Sequence, residues 1–282
     1  MTNALTIDLE DWYHTLDFNF PVNTWEQYED RITNSTNIIL ETLDKHGVKA
    51  TFFVLGYIAK KHPDLVRKIS KKGHEIGSHG TLHKLIYKQT KDEFREDVAD
   101  SKKLLQDITG KEVNLFRGSS WSISKDTLWA LEILEEEGFK CDSSLQPFKT
   151  PLSGVNGAPK EPFYPVIEEK RLKIIEFPST VLPMWKAGVP FSGGLYFRTM
   201  PLTFIKLALN KVNEKGPGMI YLHPWEVDVD QPKLKMFTHV RFTHYHNLNK
   251  TLNKLENLLD SFNFATLGEI IAEGSFKEAV VK

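Results

Sequence analysis

The feature that most constrains the fold of this chain is a regular alternation of strand-like and helix-like segments. Short runs at 4–9 and 49–55 have the length and composition of buried strands, and residues 74–79 are predicted as the next strand. Amphipathic stretches separate them. One begins with a capping-box spacing, Thr90 and Glu93, and ends before Gly110. Such alternation predicts an α/β fold with a parallel sheet, and about seven units predict a closed or nearly closed barrel.

Later segments extend the pattern to the C-terminal third. Residues 145–170 are rich in Pro and Gly, which predicts a long loop over the mouth of the barrel. Residues 226–247 read as a second loop-rich stretch that holds His239, His244 and His246. Because strand signals resume after residues 145–170 and no convincing domain boundary appears, we expect one domain over residues 1–282. The further predicted strands are 115–120, 139–144, 173–179 and 218–224.

The overall composition gives no indication of several classes of partner. The chain has 36 basic and 37 acidic residues, so its charge gives no reason to expect nucleic acid or an anionic membrane as partner. A single cysteine cannot form an internal disulfide, and we expect Cys141 to be a buried residue rather than a nucleophile. No run approaches the roughly 18 apolar residues of a membrane span. The N-terminal stretch lacks the pattern of a signal peptide, so we expect a cytoplasmic protein.

Ionisable residues follow the predicted strands at one end of the barrel. Parallel barrels carry their chemistry at the carboxyl ends of the strands, so these side chains are candidates for one site. In strand order they are Asp8, Glu10 and Asp11; His79, with His83 one short loop later; Arg117; Asp142; and His223.

Two histidines and one carboxylate with an open position make a site suited to Zn²⁺ or a similar divalent ion. His79, His83 and a carboxylate near Asp11 could supply it. A His-x₃-His pair alone is weak evidence, because surface or core histidines can have that spacing. The acids after the first strand favour the metal site.

Five ordered motifs resemble those of the polysaccharide deacetylases of the NodB-homology type, carbohydrate esterase family 4. They run from TIDLED (6–11) through SHGTLH (78–83), FRGSSWS (116–122) and CDSS (141–144) to YLHP (221–224). The resemblance implies a distorted (β/α)7-type barrel. The variant motifs look closest to a bacterial subgroup associated with exopolysaccharide and surface-glycan biosynthesis, in which residues 226–282 would be a C-terminal extension packed on the barrel.

The resemblance also implies roles for the metal-side residues. Asp8 would be the general base, with Arg117 holding its carboxylate. His79, His83 and Asp11 would bind the metal, with Zn²⁺ as the default and Co²⁺, Ni²⁺ or Fe²⁺ as alternatives. Because Leu9 and Glu10 separate Asp8 from Asp11, Glu10 is an alternative carboxylate ligand.

Further roles concern the substrate side. His223 would be the general acid, with Asp142 as its partner, and a backbone N–H near Ser120 would hold the oxyanion. Ser119 and Ser120 stand where the family usually has Pro and Tyr. Trp12, Trp121 and Trp225 lie near motifs and could stack on sugar rings or fill the core.

The leading interpretation is therefore a metal-dependent hydrolase that removes N-acetyl groups from an amino sugar in a polysaccharide or glycan precursor. Two alternatives stay open: the same fold hydrolysing a non-glycan C–N bond, and a non-catalytic barrel that binds glycan. His239, His244 and His246 could form a second metal site, although a solvated or lid-forming loop is the simpler interpretation.

Overall fold

The computed structural model describes residues 1–150, 153–184 and 187–281, and most of their strands form one sheet. The strands are β1 (Thr2–Leu9), β2 (Thr51–Val54), β3 (Glu75–Ser78), β4 (Leu115–Phe116), β5 (Cys141–Asp142), β6 (Phe163–Ile167), β7 (Lys170–Arg171), β8 (Ile175–Glu176), β9 (Val181–Met184), β10 (Ala187–Pro190), β11 (Met219–Leu222), β12 (Asn263–Ala265) and β13 (Lys277–Val280). The helices are α1 (Ile32–His46), α2 (Gly56–Lys61), α3 (Pro63–Lys71), α4 (Lys91–Thr109), α5 (Trp129–Glu136), α6 (Gly194–Thr199), α7 (Leu202–Asn213), α8 (Thr238–Tyr245), α9 (Leu248–Leu259) and α10 (Leu267–Glu273).

Within the described residues, seven strands run parallel in the order β11-β1-β2-β3-β4-β5-β8. The two ends of this row are joined through the segment that follows β8. Thr180 Oγ1 accepts from the Met219 N–H at 2.8 Å, and the Ser192 carbonyl accepts from the Tyr221 N–H at 2.9 Å. The predicted α/β fold is confirmed, and its geometry is consistent with a (β/α)7 barrel.

Local sequence explains why the elements begin and end where they do. β1 is buried along nearly its whole length, as a strand covered on both faces must be. At the start of α4, Thr90 accepts from the Glu93 N–H while the Glu93 carboxylate accepts from the Thr90 N–H. Gly110 ends this helix with φ of 67°, a conformation that glycine adopts without strain.

Two segments predicted as loops contain regular structure. Residues 145–170 include β6, which pairs antiparallel with β8 and parallel with β13; Pro151 and Leu152 of this stretch lie outside the described residues. Residues 226–247 include α8. This helix lacks a clear apolar stripe, because the residue that it buries completely is a histidine, His244.

The carboxyl ends of the parallel strands meet at one face of the barrel, as predicted. Asp8 and Glu10 lie at the end of β1, His79 after β3, Arg117 after β4 and His223 after β11. No helix in the described ranges is long and apolar enough to cross a membrane. That residues 1–282 are one domain, with an extension from residue 226, stays a prediction.

Candidate active site and metal centre

Glu10, His79 and His83 form a compact group of potential metal ligands. One ligand atom from each lies within 4.8 Å of the other two, and all three side chains are buried. His83 Nε2 lies 2.9 Å from Glu10 Oε2. Burial by itself would raise the pKa of Glu10, but His83, His223 and His79 outweigh it and lower that pKa below its usual range. Two imidazoles and an ionised carboxylate are a donor set that fits a divalent transition metal.

The backbone after β3 explains how two histidines four residues apart can meet without a helix. Gly80 and His83 both adopt the left-handed conformation, with φ of 68° and 54°, and the chain winds tightly between them. The His79 and His83 ring centroids are 5.4 Å apart. His79 Nδ1 donates to the Arg117 carbonyl at 2.7 Å, which fixes the tautomer and leaves Nε2 as the free lone pair for a metal.

Asp11 does not belong to this group, so its prediction as the carboxylate ligand is corrected to the alternative, Glu10. The Asp11 carboxylate accepts from the backbone N–H groups of Trp12 at 2.8 Å, Arg31 at 2.7 Å and Ile32 at 2.9 Å. It thereby caps the short 3₁₀ helix Trp12–His14 and ties the start of α1 to the end of β1.

Asp8 lies beside the metal group and is held by Arg117. The guanidinium donates to Asp8 Oδ1 at 2.6 Å and to Thr6 Oγ1 at 3.0 Å. Both partners are buried, and Arg117 also lies over the rings of Phe53 and Trp121. The predicted Arg117–Asp8 contact is therefore present. It leaves Asp8 Oδ2 facing His223, whose Nε2 is 3.9 Å away.

His223 closes the site from the end of β11, and its partner is Glu226 rather than Asp142. His223 Nδ1 lies 2.8 Å from Glu226 Oε2, while Nε2 lies 3.4 Å from Glu10 Oε1. The same glutamate oxygen accepts from the His223 N–H at 3.0 Å. Burial alone would lower the pKa of His223, but Glu226, Glu10 and Asp8 together raise it to about 9.

Asp142 lies deeper in the sheet, so its prediction as the partner of His223 was wrong. It stands opposite Glu176 in the parallel pairing of β5 and β8. Its Oδ1 accepts from the Ser144 hydroxyl, which in turn accepts from the Gly118 N–H at 2.6 Å. Asp142 therefore supports the loop after β4 and does not contact His223.

Arg198 extends the chain of contacts behind His223. Its Nε donates to Glu226 Oε1 at 2.7 Å, and both side chains are almost fully buried. Its other nitrogens donate to three backbone carbonyls around the end of α8, namely Thr243 at 2.6 Å, His244 at 2.7 Å and His246 at 3.0 Å. The geometry of His223 is thus fixed by the last turn of α8.

A cleft of about 440 Å³ opens over these residues. Ser120 lies on its wall with φ of 52°, next to Trp121 with φ of 55°, so two consecutive residues adopt a strained left-handed conformation beside the site. The remaining wall combines polar side chains with an apolar part that includes Leu16 and Leu195. Beyond Ser120 and the residues described above, it includes Thr15, Asp17, Gln146, Ser153, Tyr196, Tyr221 and Thr243.

Of the three tryptophans predicted to stack on sugar rings or fill the core, Trp12 does not reach the cleft, which corrects its prediction as a stacking residue. Trp121 and Trp225 line the cleft, so stacking on a sugar stays a prediction for these two. Trp12 is buried, donates to the Glu29 carbonyl and does not line the cleft. Trp121 packs against Arg117 and Tyr221. Trp225 is stacked between His223 and His244, with ring centroids 5.3 Å and 4.4 Å away. These contacts hold the neighbouring side chains in place.

The three later histidines do not converge. His244 Nε2 contacts Gln231 Oε1 at 2.7 Å, His246 Nε2 contacts Asn247 Nδ2 at 2.8 Å, and His239 stacks on Phe237. The candidate metal group found among the described residues contains none of them. The suggested second metal site is therefore not supported.

Sequence reasoning missed Glu226 and Arg198. A signal for Glu226 was present, since it lies three residues after His223 in HPWE, the spacing of a capping box with histidine at the first position. No local signal pointed to Arg198, because its partners are a carboxylate 28 residues away and carbonyls at least 45 residues away.

Two family models match separate segments of the chain. A model of the polysaccharide deacetylase family matches residues 23–139, and a second model, described as a domain of unknown function (DUF3473), matches residues 143–272. Residues 23–139 thus match the polysaccharide deacetylase family, the family predicted from the motifs. The second match contains both His223 and Glu226, so that segment completes the site. Membership of the exopolysaccharide subgroup stays a prediction.

Curated relatives point the same way. Peptidoglycan-N-acetylglucosamine deacetylase of Bacillus cereus is 37% identical over 95 residues, which are 33% of this chain and 34% of that protein. Peptidoglycan-N-acetylmuramic acid deacetylase PdaA of Bacillus subtilis is 36% identical over 78 residues, which are 28% of this chain and 30% of that protein. The matched region thus spans about a third of each relative.

Among solved structures, a putative polysaccharide deacetylase from Mycobacterium smegmatis has the same fold. The TM-score is 0.61 at 18% identity, over 100% of this chain and 93% of that one. This likeness concerns the fold. Function has to be argued from the site itself.

Proposed function

We propose that the protein hydrolyses the N-acetyl group of an N-acetylated amino sugar in a glycan, releasing acetate and the free amine, with a divalent metal ion in the site. The observation that carries the proposal is the convergence of Asp8 and His223 on Glu10. His223 Nε2 lies 3.4 Å from Glu10 Oε1 and 3.9 Å from Asp8 Oδ2. A base, an acid and a candidate metal ligand therefore share one buried corner of the cleft.

Glu10, His79 and His83 would hold the metal, which when bound polarises a carbonyl and acidifies water. Zn²⁺ is our first choice, with Co²⁺, Ni²⁺ and Fe²⁺ compatible with the same donors. The fit is supported by the buried donor set and by the free Nε2 lone pair of His79. The curated relatives are named deacetylases of N-acetylglucosamine and N-acetylmuramic acid units, which supports a glycan as substrate.

Asp8 and His223 would each carry out one of the two proton transfers. Asp8 Oδ1 is engaged by Arg117, so Oδ2 is the atom that takes the proton from the attacking water. His223 Nδ1 donates to Glu226, so Nε2 carries the proton that the departing nitrogen receives. Ser120 lines the cleft with a left-handed backbone, and a backbone N–H at this position would stabilise the developing oxyanion.

The test is acetate release from N-acetylglucosamine oligomers and from glycan strands containing N-acetylmuramic acid, with each candidate metal added. We expect turnover by the wild type and a loss of about 10²- to 10⁴-fold in kcat for Asp8→Asn and for His223→Ala. Asp126→Asn, which changes an exposed carboxylate away from the cleft, is the matched control.

Two results would replace the proposal by its alternatives. Release of acyl groups only from non-glycan amides would indicate hydrolysis of another C–N bond. Glycan binding by the wild type without acetate release under any metal condition would indicate a binding barrel. Location in the cytoplasm stays a prediction, to be tested by cell fractionation.

A further inference from the structure

A surface formed by Lys233, Lys235, Phe237, Arg241 and Phe242, called here the basic–aromatic surface, is exposed at and before α8. Phe237 is 77% exposed and Phe242 49% exposed, although both are large aromatic side chains. All three cationic side chains are exposed as well. Aromatic rings with this much exposure beside several cations are unusual for a surface that only contacts water.

The charge of this region differs from that of the whole chain. Residues 231–255 contain five basic and no acidic residues, although the formal charge of the chain is −1. Six of the seven arginines form an ion pair with a carboxylate. In the part of the chain that the structure describes, Arg241 has no such partner, nor do Lys233 and Lys235. Their charge is therefore available to an external anion.

The basic–aromatic surface is firmly tied to the rim of the cleft. Arg198 binds the carbonyls of Thr243 and His244 near the end of α8, and Thr243 itself lines the cleft. Between Lys233, Arg241 and Tyr245 lies a depression of about 440 Å³, large enough for a small anionic group. A partner held by this surface would therefore lie at a fixed distance from the site.

We propose that the basic–aromatic surface binds the face of an anionic phospholipid bilayer. Insertion of the two phenylalanine rings at the headgroup boundary would remove their apolar area from water, while the lysines and the arginine contact anionic headgroups. A soluble anionic polymer would satisfy the cations but leave Phe237 in water. A symmetric contact with a second copy would place like charges opposite each other.

The binding would hold the cleft at a fixed position relative to the membrane surface. It involves no residue of the metal group, of the Asp8–Arg117 pair or of the His223–Glu226 pair. Vesicle binding can therefore be measured without turnover, and its success or failure is independent of the proposed deacetylation.

The experiment is vesicle co-sedimentation of the full chain. Vesicles of phosphatidylcholine alone are compared with vesicles in which about 30% of the lipid is the anionic phosphatidylglycerol. We expect binding to the anionic vesicles that weakens with added salt. The triple variant Lys233→Gln, Lys235→Gln, Arg241→Gln should lower the partition coefficient by about two orders of magnitude. Phe237→Ser should lower the partition coefficient about tenfold. Because the Phe237 side chain is largely exposed, this substitution should leave folding intact.

Matched controls remove the same features elsewhere. Lys71→Gln, Lys103→Gln and Lys125→Gln together change three exposed lysines, and Leu207→Ser changes an apolar side chain that is 69% exposed. These variants should bind vesicles like the wild type.

Three outcomes would overturn the proposal. One is equal binding to the two kinds of vesicle, and another is an equal loss in the controls. The third is that variants of the basic–aromatic surface abolish self-association, or binding to a soluble anionic polysaccharide, without changing vesicle binding.

Discussion

Glu10 and Asp11 are adjacent acids with opposite tasks. Alternation along an extended chain directs neighbouring side chains to opposite sides. Glu10 therefore reaches His83 in the cleft, while Asp11 turns toward the backbone of Arg31 and Ile32. One side chain serves the candidate metal group and the other holds the first helix in place.

This difference gives a prediction about metal content. Glu10→Gln and His79→Ala should lower bound metal from about one ion per chain to near zero. Asp11→Asn should retain the metal but lower the free energy of unfolding by about 0.5–2 kcal/mol, because it weakens a helix cap. Elemental mass spectrometry and denaturant titration measure the two effects.

His239→Ala is the control for the metal prediction, because that histidine is exposed and its ring stacks on Phe237, outside the candidate metal group. Retention of metal by Glu10→Gln together with its loss in Asp11→Asn would contradict the assignment of Glu10.

The contact between Glu226 and His223 leads to a prediction about pH. Glu226 is the largest contributor that favours protonated His223, whose pKa is raised to about 9. Glu226→Gln removes that contribution, so the pKa of His223 falls and the acid is deprotonated at lower pH. The alkaline limb of the kcat profile should move to lower pH, with kcat at its maximum reduced about tenfold or more.

If Glu226 had a purely structural role, Glu226→Gln would lower the melting temperature and leave the position of the alkaline limb unchanged. The folded-state pKa of His223 is above its unfolded value, so this histidine stabilises the fold below about pH 6.5 and that contribution is lost as the pH rises through about 9. Glu226→Gln should therefore also flatten the stability profile in that interval.

The sequence allowed the position of each candidate group at a strand end to be predicted, but it could not identify the contacts of those groups. Asp8, His79, His83 and His223 meet because strand order determines which carboxyl ends are neighbours. The choice between Glu10 and Asp11 depended on a single peptide turn. The partner of His223 depended on the 3₁₀ turn Pro224–Val227, which brings Glu226 back to the imidazole.

At the scale of elements, β5 and β8 bring two buried carboxyl groups into register. Asp142 and Glu176 are opposite each other, and burial raises the pKa of both. Two carboxylates in a buried position repel each other, so the pair is expected to retain a proton at pH values where free carboxyl groups have lost theirs.

The contribution of Asp142 and Glu176 to the free energy of unfolding should depend on pH. A group whose pKa is raised in the folded state stabilises the fold below its unfolded pKa, and that contribution is lost as the pH rises through the folded value. Asp142→Asn supplies a permanent N–H donor in place of the proton. The free energy of unfolding of the wild type should therefore fall more steeply with rising pH above about 4 than that of the variant.

Denaturant titrations between about pH 5 and pH 9 measure this difference, the range lying above the usual carboxyl pKa. Parallel profiles for the wild type and Asp142→Asn would show that the two carboxyl groups do not share a proton. Asp126→Asn, at an exposed site, should give the wild-type slope.

Elements with strong local signals were predicted well, and elements defined by tertiary contacts were not. α4 has a capping box, an amphipathic pattern and a terminal glycine, so its limits could be read directly. β6 contains a proline and depends on an antiparallel partner, and α8 buries a histidine rather than an aliphatic stripe. Neither pattern has a distinctive sequence period.

At the scale of the whole molecule, the sheet crosses the boundary between the two family matches. β4 lies in the first matched segment and β8 in the second, and β5, which lies between the two segments, pairs with both. β1, which precedes the first matched segment, pairs with β11 of the second. Neither segment contains the complete barrel. The candidate site takes His79 and His83 from the first segment, His223 and Glu226 from the second, and Glu10 from the residues before both.

This sharing predicts the behaviour of fragments. A chain ending at residue 139 would leave the edge of β4 unpaired and expose Leu115 and Phe116, which are buried in the full chain. We expect the fragment to lack a cooperative thermal transition and the full chain to unfold in one step. Calorimetry would test both, and a cooperative transition in the fragment would contradict the shared sheet as the unit of folding.

The balanced charge of the chain gave an incomplete account of its surface. The total of −1 hides the run of basic residues between 231 and 255, whose acidic counterparts lie elsewhere in the sequence. Charge sums describe solubility and long-range attraction. Local recognition depends on which charges lack a partner, and this is visible only after the ion pairs have been identified.

The single cysteine has a practical consequence. Cys141 lies in β5, fully buried between strands of the central sheet, and burial raises its thiol pKa well above the usual value. A thiol-labelling reagent can reach it only when those strands separate. The rate at which the native chain is labelled therefore measures how often the barrel opens. Cys141 serves as the probe, so no cysteine has to be introduced.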